Sequence, residues 1–105
     1  MSGSPLSAPY TLELVTYCLN DDADLDAFLA LNREVGETFT SIQPGFLHRE
    51  IGKKDDGAWL IAVFWKTAED ARNSIANIDS IPDVVNSYMS MINRDTLKRD
   101  IFDIV

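Results

Sequence analysis

Ala58-Trp-Leu-Ile-Ala-Val-Phe-Trp65 is apolar at every position. Successive side chains of a strand point to opposite faces, so a strand through this stretch needs both of its faces screened from water. In a chain of 105 residues, a sheet can cover one face with its own helices. A second apolar face then points to a partner molecule or a bound apolar ligand.

Working outward, Phe46 to Lys53 reads as a preceding strand, and Asp55-Asp56-Gly57 supplies the turn that joins the two as an antiparallel hairpin. Thr11 to Leu19, rich in β-branched and aromatic residues, reads as a first strand ending at Asn20-Asp21-Asp22. Leu25, Phe28, Leu29, Val35 and Phe39 then recur at near-helical spacing, predicting a long helix that Gly36 weakens locally and that stops before Pro44-Gly45. The acids Asp21, Asp22, Asp24 and Asp26 suit the start of that helix rather than a metal site. Thr67-Ala-Glu-Asp70 has capping-box spacing and opens a second helix; Ser80-Ile-Pro-Asp83 repeats the signal after a break. Val84, Val85, Tyr88, Met89 and Ile92 give the later helix its apolar stripe, and Leu97 to Val105 ends the chain as a fourth strand. The expected class is α+β: a ferredoxin-like βαββαβ unit whose two helical regions cover one face of a four-stranded antiparallel sheet.

This length is near the lower limit at which burial alone sustains a fold, so dimerisation would help. A net charge of −8 and a pI near 4.3 repel nucleic acid and anionic lipid, and no apolar run approaches a bilayer span. Neither nucleic acid nor membrane is therefore expected as a partner. Met1 to Pro9 reads as a flexible N-terminal arm without the pattern of a signal peptide, and residues 10–105 as one domain, expected in the cytoplasm. Cys18 is the only cysteine and sits among Val15, Tyr17 and Leu19, where a small packed residue is expected rather than a nucleophile.

Gln43-Pro-Gly-Phe46, the hairpin, and Val63-Phe-Trp65 followed by Lys66-Thr-Ala-Glu-Asp-Ala71 resemble the antibiotic-biosynthesis monooxygenase family over about Leu12 to Val105. The resemblance implies a dimeric α/β barrel, in which two sheets pack face to face across a homodimer and small molecules bind between sheet and helices. The family's haem-degrading branch carries a histidine and a tryptophan on the second helical region. Thr67 to Asn93 contains neither, which argues against haem.

His48 is the lone histidine and the only side chain with an ordinary pKa near neutrality. A two-residue turn at Asp56-Gly57 would set His48 opposite Trp65 and Glu50 opposite Val63, grouping both with Trp59, Ile61, Val63 and Trp65 on one face; a three-residue turn would break this grouping. The catalytic candidates are therefore His48 and Glu50, against the alternative of a histidine simply hydrogen-bonded to its neighbouring carboxylate. Phe28, Phe39, Phe46, Trp65, Tyr88 and Met89 are the expected ligand-binding wall, each of which plain core packing would also explain. Trp59 is expected near the dimer boundary. Arg49 and Arg72 could fix an anionic oxygen, but spacing alone selects neither.

No Gly-rich phosphate loop or nucleophile elbow occurs, and histidine and cysteine are too few for a transition-metal site, so no cofactor and no metal are expected. Two functional readings stand. One is a dimeric binder of a lipophilic small molecule, fatty-acyl-like or polyketide-like. The other is a cofactor-independent monooxygenase or isomerase acting on an apolar enolisable substrate, with His48 as base, Glu50 orienting it, and Tyr88 or Arg49 steadying the oxyanion.

Overall fold

A computed structural model describes residues 6–76, apart from the side chain of Ile75, and 83–105. Strand β1 (Tyr10–Leu19) leads to helix α1 (Leu25–Thr38) and a short 3-10 turn (Thr40–Ile42). The hairpin β2 (Phe46–Lys53) and β3 (Trp59–Trp65) follows, then α2 (Ala68–Ala76), α3 (Asp83–Ser90) and β4 (Ile92–Ile104). All pairings are antiparallel in the order β2-β3-β1-β4, the ferredoxin-like βαββαβ arrangement.

Local chemistry sets most of these boundaries. Within the acidic run, Asp24 is the residue that caps α1, its side chain accepting from the Ala27 amide at 3.1 Å. Gly36 does not interrupt α1, which runs on to Thr38. Thr67 caps α2 as its spacing predicts, its hydroxyl accepting from the Asp70 amide at 3.1 Å. The second capping signal, apart from Asp83 where α3 begins, lies outside the described residues.

The fourth strand begins at Ile92, five residues before the expected Leu97, so Ile92 extends the sheet rather than the helical stripe. Asn20 causes this early exit: its amide donates to the Met91 carbonyl at 2.8 Å and its side chain to the Ser90 carbonyl at 2.9 Å. Those bonds end α3 and draw the chain against β1. The register then slips between Thr16 and Cys18, where Thr96 Oγ1 accepts from the Cys18 amide at 2.8 Å.

The core lies between the sheet and the helices. Tyr17, Trp59, Ile61, Val63 and Trp65 point from the sheet toward Phe28, Val35, Val85 and Tyr88, and all are buried. Burying each large side chain is worth roughly 1.5–3 kcal/mol. Trp59 therefore belongs to this core, its ring 5.0 Å from that of Phe28, and not to the outer boundary. On the opposite face Leu12, Leu14, Leu60 and Phe64 are only partly covered, and Phe102 is 46% exposed. The doubly apolar Ala58–Trp65 stretch thus has one face in the core and one on the open side of the sheet.

Candidate functional site

The hairpin register decides what faces the helices. Lys54 donates to the Ala58 carbonyl at 2.8 Å around the three-residue turn Asp55 to Gly57, whose glycine takes φ +93°. His48 consequently pairs with Phe64 and Glu50 with Ala62, one residue away from the two-residue-turn expectation, and a bulge follows between Phe46 and His48. A shift of one residue moves every side chain of a strand to the other face. His48 and Glu50 therefore lie on the open face, not with Trp65 and Val63. There the imidazole Nε2 is 2.8 Å from Glu50 Oε2, and the ring packs on Phe64 at 5.8 Å.

The same register turns Arg49 inward, opposite Val63. Its Nη2 donates to Asn32 Oδ1 at 2.7 Å and its Nη1 to the Asn32 carbonyl at 3.4 Å, joining β2 to α1. Asn32 is buried on the apolar stripe of that helix, between Phe28 and Val35. The Arg49 charge also acts on the Tyr88 hydroxyl, favouring its ionised form, and that hydroxyl shares a hydrogen bond with the Tyr17 hydroxyl. Burial pushes both tyrosine hydroxyls above their ordinary range; for Tyr17 the nearby Tyr88 adds to this, while Arg49 acts in the opposite sense on both. Both are therefore neutral donors near pH 7.

Arg49, Tyr17 and Tyr88, but not Asn32, line a cavity of about 260 Å³ between sheet and helices. Its wall is mostly apolar, including Val15, Val35, Ile61, Val63, Met89 and Ile92. Of the expected ligand-binding residues, Phe39, Trp65, Tyr88 and Met89 line it. Phe28 instead packs behind it, stacked on Tyr88 at 5.6 Å, and Phe46 packs edge-on against Trp65 at 6.0 Å.

A second polar group in the wall is Glu13, which is 6% exposed. One carboxylate oxygen accepts from Trp65 Nε1 at 2.9 Å and the other from Arg99 Nε at 2.7 Å. Glu13 and Arg49 flank Val63 from its two neighbouring strands. At strand spacing this sets their backbones about 10 Å apart. Glu13, Tyr17, Asn32 and Arg99 were not singled out as site residues by the sequence. Two carried a signal: Glu13 is a carboxylate at an inward position of an otherwise apolar strand, and Asn32 is an amide on a helix's apolar stripe.

No family model and no curated protein sequence matches the chain. Solved structures do. SnoaB, a cofactor-independent oxygenase from Streptomyces nogalater, aligns with TM-score 0.72 and 14% identity, covering 93% of this chain and 95% of that one. A Nitrosomonas europaea protein carrying the name of an antibiotic biosynthesis monooxygenase aligns with TM-score 0.72 and 15% identity, over 95% and 94% of the two chains. A similarly named protein from Chloroflexus aurantiacus gives 0.63 and 20%, over 90% and 93%. The chain thus has the ferredoxin-like fold of the antibiotic-biosynthesis-monooxygenase structures, as the sequence resemblance implies. At these identities the likeness is one of fold.

Proposed function

We propose that this chain binds a lipophilic small molecule in the cavity between its sheet and helices. The carrying observation is the cavity itself: about 260 Å³, walled mainly by aliphatic and aromatic side chains, with a few convergent polar groups. A homodimer formed through the open sheet face belongs to the same proposal, supported by the partly covered Leu12, Leu14, Leu60 and Phe64 on that face. Native mass spectrometry of the purified protein tests for a co-purified ligand, and thermal unfolding with an apolar probe tests occupancy. A ligand that binds only the folded state at about 100 times its Kd stabilises it by about 2.7 kcal/mol. Val63→Phe, which fills the cavity from β3, should abolish that stabilisation. An equal gain in this variant would contradict the proposal.

The second reading is a cofactor-independent oxygenase, the activity named for the SnoaB structure. In it, Tyr88 donates to a substrate carbonyl and the base is Glu13, the carboxylate in the cavity wall. This reading assigns no role to His48, which lies on the other face of the sheet. Oxygen uptake with an enolisable aryl ketone and no added cofactor supports this reading if Glu13→Gln abolishes it; no uptake leaves binding as the function.

A further inference from the structure

The polar groups in the cavity do not balance. Glu13 is already paired, with Trp65 on one oxygen and Arg99 on the other, so that ion pair contributes no net charge. Among the described residues Arg49 has no such partner: no carboxylate lies within salt-bridge distance of it, and its hydrogen bonds go to the neutral Asn32. A guanidinium lining an apolar cavity with no counter-ion among the described residues stands out in a chain whose net charge is −8.

The protons do not balance either. A guanidinium can only donate, so Arg49 cannot take up a hydroxyl proton from either tyrosine. Tyr17 and Tyr88 carry one hydroxyl proton each, and one bond joins them. One proton is therefore left over whichever hydroxyl donates, and it has no acceptor among the described residues. Both hydroxyl-bearing side chains line the cavity. The site thus holds a surplus donor and a surplus positive charge, and a single anionic oxygen would satisfy both.

We infer that the ligand of this cavity is an organic monoanion, an apolar body ending in a carboxylate that accepts the spare tyrosine proton and faces Arg49. The inference rests on the binding reading above and deepens it by naming the chemical class. It makes Tyr17 and Tyr88 a paired donor and Arg49 the counter-ion.

Calorimetric titration with three probes of one shape tests it: 2-naphthoate, its neutral isostere 2-acetylnaphthalene, and 2-ethylnaphthalene, which has no acceptor. Naphthoate is expected to bind about tenfold or more tighter than the ketone, the scale of one charge-assisted hydrogen bond. Arg49→Met should erase that ratio while still binding ethylnaphthalene, which also reports that the variant's cavity is intact. Tyr17→Phe, which keeps the ring, should narrow the ratio in the same direction. Equal affinity for naphthoate and ketone, or a preference that survives both substitutions, would overturn the inference and leave apolar binding in place. Failure of all three probes to bind would overturn both.

Discussion

A methyl group placed on Gly36 would stand 3.1 Å from Nη1 of Arg49. The glycine in the last turn of α1 thus gives the guanidinium its passage from β2 to Asn32. Alanine is favoured over glycine in a helix by up to about 1 kcal/mol, so Gly36→Ala should leave the melting temperature nearly unchanged or raise it. The same substitution should weaken naphthoate binding severalfold by displacing Arg49. Unchanged affinity in calorimetry would show that the guanidinium position is not critical.

Gly45→Ala should behave in the opposite way. Gly45 takes φ +82°, and a Cβ there would overlap Asp70 side-chain atoms at the start of α2. Strain and overlap together should cost more than about 1 kcal/mol, read as a lower urea midpoint at constant slope. A midpoint equal to the wild type would mean that the β2 and α2 starts are not packed as described.

The fold was legible because its signals are local and redundant. Ala58 to Trp65 announces a strand hidden on both faces, Asp24 and Thr67 cap the helices, and Gly57 marks the turn. The candidate site was less legible, because it depends on a register that the sequence leaves open. Asp55-Asp56-Gly57 can close a two- or three-residue turn, and the choice exchanges His48 and Glu50 for Arg49 on the helix-facing side. Arg99 falls within the strand expected over Leu97 to Val105, but its inward side depends on the pairing of β4 with β1, where it lies opposite Val15.

Alkaline pH should expose the tyrosine pair. Burial raises both hydroxyls above their ordinary value near 10, so the folded state holds these protons more tightly than the unfolded chain. The unfolded state then binds fewer protons above pH about 10, and stability falls as pH rises through that window. The double variant Tyr17→Phe, Tyr88→Phe should lose stability less steeply between pH 9 and 11, about the ordinary tyrosine value. Parallel profiles for variant and wild type would contradict the buried, neutral assignment.

The open face should be equally sensitive to charge. Leu60 and Ala62 alternate with the inward Ile61 and Val63, so Leu60→Asp or Ala62→Asp places a carboxylate where the proposed homodimer would bury it unpaired. Light scattering should report twice the chain mass for the wild type and a monomer, or an unfolded chain, for either variant. A monomeric, stable wild type would rule out the sheet-to-sheet dimer.

Methyl resonances give the most direct view of the binding cavity, because cavity and open face carry different ones. Val35, Ile61, Val63 and Met89 line the cavity, while Leu12, Leu14 and Leu60 project from the other side of the sheet. Titration with 2-naphthoate, followed by carbon–proton methyl spectra, should move the first set saturably, together with the Trp65 indole N–H that donates to Glu13. The second set should stay in place. Saturable shifts confined to Leu12, Leu14 and Leu60, or none at all, would contradict a ligand site between the sheet and the helices.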